Sequence, residues 1–213
     1  EVRNCTFAGP QDGESVLKET RQVRVDHCTF SLRYPLWHVQ GYELIHSSLD
    51  ELTRAPIWYS HHGLIDSCDI QGIKILRECS DTIVSNCQIQ SPEFGWFCQD
   101  ISIKDSEIHS EYMLLHSHHV KIDHLKFTGK YSFQYMHDLE ITNSYLDTKD
   151  AFWHSSNVIV KDSVVKGEYL GWFSKNVTFI NCQIIGTQPL CYCENLKLID
   201  CEMIDCDLAF EYS

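Results

Sequence analysis

The chain repeats itself, and the repeat limits what it can fold into more than any other feature. A register residue, mostly Cys or Ser, recurs at Cys5, Cys28, Ser47, Cys68, Cys87, Ser106, Leu125, Ser144, Ser163, Cys182 and Cys201, with a constant spacing of 19 residues from Cys68 onward. Three residues before each stands an apolar side chain: Val2, Val25, Leu44, Ile65, Val84, Ile103, Ile122, Ile141, Val160, Phe179 and Leu198. Two residues after each stands another, from Phe7, Phe30 and Leu49 through Phe127 to Ile184 and Met203. A fixed period that carries several columns at once is the mark of stacked repeats. Within each unit the apolar residues alternate on both sides of the register, which reads as two short strands meeting at a bend. The bend has its own column, one residue before the register: Asn4, His27, His46, Ser67, Asn86, Asp105, His124, Asn143, Asp162, Asn181 and Asp200. Most of these types tolerate left-handed backbone or bond their own main chain.

Because every unit repeats in the same sense, equivalent strands stack in parallel about 4.8 Å apart, and crossovers between parallel strands are right-handed as a rule. The fold class that follows is all-β, a single-stranded right-handed parallel β-helix (β-solenoid) of about eleven coils, most of 19 residues, forming one domain over residues 1–213 and a rod roughly 50 Å long. A leucine-rich-repeat horseshoe has a similar strand and period, but segments such as RYPLWH, SPEFGW and GTQPLCYC put Pro, Gly and aromatics where a horseshoe needs a helical turn. The register column suits a narrow interior of stacked Cys and Ser. Parallel stacked side-chain vectors fit disulfide torsions poorly, so the eleven cysteines are expected to be free thiols, which favours a reducing, cytoplasmic setting.

Composition narrows the partners. Asp and Glu number 30 against 17 Lys and Arg, a formal charge of −13, and such a field repels phosphate backbones and anionic membrane surfaces. Nucleic acid is not expected, and no apolar run approaches the roughly 20 residues of a membrane span.

A third segment follows the bend strand in each coil. Its inward column is Leu36, Ile57, Leu76, Gly95, Leu114, Phe133, Phe152, Gly171, Leu190 and Ala209, and the next column turns outward with all five tryptophans: Trp37, Trp58, Trp96, Trp153 and Trp172, with Arg77 among them. Charges flank that column: Arg33, Arg54, Glu93, Glu111, Lys130, Lys149, Asp150 and Glu168. Rings interleaved with charged groups suit a carbohydrate, since apolar sugar faces stack on rings while hydroxyls take polar partners. The expected substrate-binding set is therefore Arg33, Trp37, Arg54, Trp58, Arg77, Glu93, Trp96, Glu111, Lys130, Trp153 and Trp172. The competing reading packs these rings between coils, ties the charges into coil-to-coil ion pairs and leaves a structural or interaction solenoid that self-associates through its aromatic face or uncapped ends.

The strings DGESVLKE, RYPLWH, RAPIWYS, GIKILREC, SPEFGW, LDTKDAFWHS, GEYLGW and GTQPLCYCENL resemble an uncharacterised bacterial family of pectin-lyase-like right-handed β-helix proteins, a domain of unknown function, along essentially the whole chain. The resemblance implies the fold and carries no catalytic residues with it. It also implies family members longer at both ends, so capping coils are expected outside residues 1–213. Among enzymes of this fold, pectin hydrolases use an aspartate cluster with Gly-His-Gly and Arg-Ile-Lys motifs. Here Ile73-Lys74-Ile75 lacks the arginine and His61-His62-Gly63 is no Gly-His-Gly. Pectate lyases need an acidic Ca²⁺ cluster and a base. Asp147, Asp150 and Glu168 beside Lys130 and Lys149 imitate that best, which makes Lys149, Asp150 and Glu168 the candidate catalytic residues of a polysaccharide lyase or hydrolase. No metal ligand set is expected from the twelve histidines, because adjacent His on a strand face opposite ways. No cofactor is expected either, Ca²⁺ being the one cation that the acidic cluster suggests.

Overall fold

The computed structural model describes residues 1–10 and 15–213, so the Asp12–Glu14 part of the DGESVLKE string lies outside the described residues. The chain winds into a parallel β-solenoid of about ten turns, and no described residue is helical. Strand pairs are parallel and offset by one coil: Val84 pairs with Ile65 on one side and Ile103 on the other, and Ile122 pairs with Ile103 and Ile141. Among the described residues one wrapping sheet holds 20 strands, and a second, small sheet of Ile75–Arg77, Glu93–Trp96 and Tyr112–Met113 forms on the third side. Among the described residues no helix is long and apolar enough to cross a membrane.

Backbone chemistry at the corners makes the winding possible. Every residue of the Asn/Asp/His/Ser bend column has positive φ, from 46° at His46 to 54° at Asn4, Ser67 and Asn86. The side-chain oxygen of Asn or Asp tolerates this region, which is why one strand can turn into the next without a loop. A second column of the same kind precedes the register residues from Cys68 onward by six: His62, Asp81, Asp100, His119, Asp138, Asn157, Asn176 and Asn195 all lie between φ 52° and 57°.

The interior is a set of parallel ladders. The two apolar columns flanking the register are almost fully buried in the middle coils, as is the inward column of the third segment from Leu36 through Phe133 and Phe152 to Leu190. Phe133 stacks on Phe152 at 5.3 Å and meets Phe127 at 5.7 Å. A fully buried residue of this type contributes about 1.5–3 kcal/mol, whereas an exposed ion pair contributes about 0–1 kcal/mol. The apolar stack therefore holds the rod together.

The register column has a specific polar task. The Ser47 hydroxyl accepts from the Cys28 N–H and donates to the Ile45 carbonyl, and Ser106 and Ser144 repeat this for Cys87 and Leu125. A second such column, absent from the sequence-based expectations, runs through Ser60, Cys79, Cys98, Ser117, Met136, Ser155, Ser174 and Cys193. There Ser60 donates to Leu36 O at 2.8 Å, Cys79 to Ile57 O at 2.9 Å and Cys193 to Gly171 O at 3.1 Å. Small hydroxyls and thiols thus occupy the corners because the bend leaves main-chain groups that need a partner. All eleven cysteines are free thiols, as expected. Burial pushes the Cys193 thiol up to about 11, which keeps it protonated and unreactive.

Candidate functional site

The tryptophans form one column on the third side, each half-buried. Their indole N–H groups span to the next coil: Trp37 donates to Ala55 O, Trp58 to Lys74 O and Trp153 to Tyr169 O, all at 2.6 Å, while Trp172 reaches Gln188 O at 2.9 Å and Trp96 reaches Tyr112 O at 3.3 Å. Gln134 does the same for Asp150 O. Ring faces turn along the rod axis, so Trp37 lies on Trp58 at 5.3 Å and 5°, and Trp153 on Trp172 at 5.4 Å and 4°. The Arg77 guanidinium fills the place between Trp58 and Trp96, 5.1 Å and 6.0 Å from the ring centres. Trp37 and Trp58, and Trp153 and Trp172, thus cover one face of each other, and Arg77 covers a face of Trp58 and of Trp96.

The next column is more open. Phe97, His116, Tyr135, His154, Phe173, Tyr192 and Tyr212 stack in one continuous run with centroid spacings of 4.5–5.4 Å. His38 and Tyr59 form a shorter stack, 4.8 Å apart, with Glu78 in the column between the two stacks. Phe97, Tyr135 and Phe173 are 41–43% exposed. All these residues have positive φ, which lets two successive side chains lean outward and defeats a simple alternation rule. The aromatic repeat itself is visible in the sequence, one residue after each tryptophan position.

Around the corner from this ladder lies the groove. The corner carries His61 paired with Ser80 at 2.7 Å, His118 with Gln99 at 3.1 Å and His137 with Ser156 at 2.5 Å. Beyond it the second positive-φ column becomes a polar ladder. His62 Nδ1 meets Asp81 at 2.6 Å, and His119 bridges Asp100 through Nδ1 and Asp138 through Nε2, both at 3.3 Å. Asn157 donates to Asp138 at 2.9 Å, Asn176 to Asn157 at 3.0 Å and Asn195 to Asn176 at 2.8 Å. The ladder forms one wall of a recess of about 520 Å³ that crosses five coils, from Asp81 and Ile83 to Asn157 and Ile159. Ile83 and Ile159 are exposed there, and Ser102, Lys121 and Glu140 complete the outward strand positions. A groove of this size, with polar groups along one wall and a floor that is apolar at its two ends, can hold a ligand.

The charged candidates sit elsewhere. Lys149 and Glu168 pair at 2.9 Å with both side chains close to half-exposed, Lys166 pairs with Asp147 at 3.0 Å, and Lys74 lies 3.9 Å from Glu93. Lys149 also lies 5.3 Å from the Tyr169 ring. Hydrogen bonding and charge from Glu168 raise its pKa, so it stays an ammonium and offers no free base. The Asp150 carboxyl is raised by burial, against the lowering effect of Lys149. Glu111 and Lys130 line a shallower recess with His109. Arg33 is half-buried, and Arg54 is exposed beside its bridge to Ile73.

Solved structures with a similar winding include the catalytic domain of Agl-KA, with 7% identity over 91% of this chain and 57% of that one, at a TM-score of 0.46. The tailspike gp49 of Acinetobacter baumannii bacteriophage Fri1, a capsular polysaccharide depolymerase, shows 10% identity over 91% and 56%, at 0.36. The A-module of the Azotobacter vinelandii mannuronan C-5 epimerase AlgE4 shows 9% identity over 84% and 62%, at 0.24. The chain thus spans just over half the length of the first two. No curated protein matches the chain at a significant level. The family model of DUF3737, described as a protein of unknown function, matches residues 1–213, and the chain belongs to that family.

Proposed function

We propose that the protein binds an extended, hydroxyl-rich polymer, a polysaccharide, along the groove of the strand face. One observation carries this reading: the ladder of Asp81, Asp100, His119, Asp138 and Asn157 offers hydrogen-bonding groups once per coil along a recess floored in part by isoleucine. Successive groups are about 4.8 Å apart, close to the length of one pyranose, so each coil can meet one sugar. Carboxylate, amide and imidazole together accept and donate to sugar hydroxyls, and Ile83 and Ile159 cover apolar sugar faces. Four carboxylates, Asp81, Asp100, Asp138 and Glu140, outweigh Lys121, which favours neutral sugars over polyuronates. The stacked tryptophans stiffen the neighbouring side, and the exposed run from Phe97 to Phe173 supplies a flanking aromatic edge.

Calorimetric titration against neutral and acidic polysaccharides tests this. Asp100→Asn combined with His119→Asn should weaken binding of the best polymer about ten-fold or more, in line with one or two lost hydrogen bonds to charged groups. Its melting temperature should stay close to that of the native protein, because Asn already occupies the same column at Asn157 and Asn176. Trp153→Ala should lower stability and leave affinity nearly intact. If groove variants bind as the native protein does and Trp153→Ala alone abolishes binding, the site lies on the tryptophan side. If no polysaccharide binds, the carbohydrate reading fails. Gel filtration of the polymer after incubation shows whether the His119 imidazole, held between two carboxylates, also cleaves it.

A further inference from the structure

At the bend near the first coils, one carboxylate is coordinated differently from its equivalents. Asp66 and Asp123 stand two residues before their register residues, and each accepts from a hydroxyl and an amide one coil on, Asp66 from Ser85 and Asn86 and Asp123 from Thr142 and Asn143, with a single imidazole, His124, also on Asp123 at 2.9 Å. Asp26 occupies the same column, but its partners are two imidazoles. His27 Nδ1 lies 2.6 Å and His46 Nδ1 3.2 Å from the same oxygen, Oδ1. The rings stack on each other at 4.8 Å. The other oxygen, Oδ2, is 3.4 Å from Arg3 Nε, which fixes the carboxylate with Oδ1 turned to the rings. The Asp26 side chain is 9% exposed, and the two rings are about half-exposed. Burial works to raise the Asp26 pKa, but hydrogen bonds from His46 and His27 outweigh it and hold the group below its ordinary value.

We infer that Asp26, His27 and His46 form a binding site for a divalent transition metal ion such as Zn²⁺ or Co²⁺. Their ligand atoms lie within 4.8 Å of one another, the only such grouping of three among the described residues. Two imidazole nitrogens and one carboxylate oxygen are a donor set for these ions, and three protein ligands leave a position open to water. Without an ion the rings donate Nδ1–H to Asp26; to bind one, each must present Nδ1 as a lone pair and carry its remaining proton on Nε2. The signal is legible in the sequence only once the 19-residue step is known, because His27 and His46 then stack directly beside Asp26.

The test uses the whole chain, with Co²⁺ followed by its visible absorption and Zn²⁺ by calorimetry. One ion per chain is expected. His27→Asn and His46→Asn should each lower affinity at least as much as disturbing an outer-shell partner does, about 10- to 100-fold. Asn is compatible with this bend, since Asn86, Asn143 and Asn181 occupy the same column at positive φ, so both variants should melt as the native protein does without metal. His62→Asn, which removes an imidazole that faces a single carboxylate, should bind metal unchanged. Unaltered Co²⁺ binding in the His27→Asn, His46→Asn double variant, or no saturable binding by the native protein, overturns the site.

Discussion

Replacing Ser155 separates the role of the internal hydroxyls from simple space filling. Its hydroxyl is 1% exposed, accepts from the Met136 N–H at 3.0 Å and donates to the Phe133 carbonyl at 2.7 Å. Ser155→Ala takes a partner from one donor and one acceptor in the interior. Each unsatisfied group costs about 1–3 kcal/mol, so the variant should lose about 2–6 kcal/mol. Ser155→Cys should lose far less, because Cys79, Cys98 and Cys193 make the equivalent bonds in the same column. Urea denaturation measures the total, and amide exchange localises it, since a loss of about 2 kcal/mol exposes the Met136 amide roughly 30-fold more often. An array of repeats need not unfold in one step, which makes the Met136 amide the sharper probe. If Ser155→Ala denatures like the native protein and Met136 stays protected, the corner hydroxyls do not have the task assigned to them.

Three further outcomes are expected. Denaturation without reductant should release close to eleven reactive thiols, and a count of five or fewer would mean disulfides that the fold does not contain. Thr142, Asn143 and His124 hold the Asp123 carboxyl down at about 2 by hydrogen bonding. Its folded pKa lies below its unfolded one, so the stabilisation is full above about pH 4 and is lost as pH falls toward 2. Thr142→Val should therefore lower the melting temperature near neutrality and flatten its acid dependence. Gly167→Ala should be strongly destabilising, because φ is +152° there and an added Cβ would lie 1.4 Å from the Thr148 carbonyl oxygen. An unchanged melting temperature would refute that close approach.

The solenoid was legible because its strand columns are one-dimensional: Ile65, Val84, Ile103 and Ile122 sit 19 residues apart, and period-2 alternation decides their direction. The positive-φ bends were legible for the same reason, since Asn, Asp, His and Ser recur at one offset. The third segment was only half legible. Its inward column from Leu36 to Leu190 is as expected, but alternation alone cannot show that Trp153 lies face to face with Trp172, or that Phe173 at positive φ leans out beside Trp172. The charge pattern was visible, yet the pairing of Lys149 with Glu168 depends on side-chain reach between coils. The groove was missed because its wall, Asp81 to Asn157, reads as another turn column, and its hydrogen-bonding task appears only when successive coils are stacked.

If one sugar of an extended chain meets each coil of the groove, affinity must depend on oligosaccharide length. The recess crosses five coils, a run of about 20 Å at 4.8 Å per coil. Starting from the best polymer in the screen, affinity should rise with each added sugar, level off near five, and lose that length dependence in the Asp100→Asn, His119→Asn variant. A single sugar that binds as tightly as a pentamer, or a length dependence that the variant keeps unchanged, would rule out one sugar per coil.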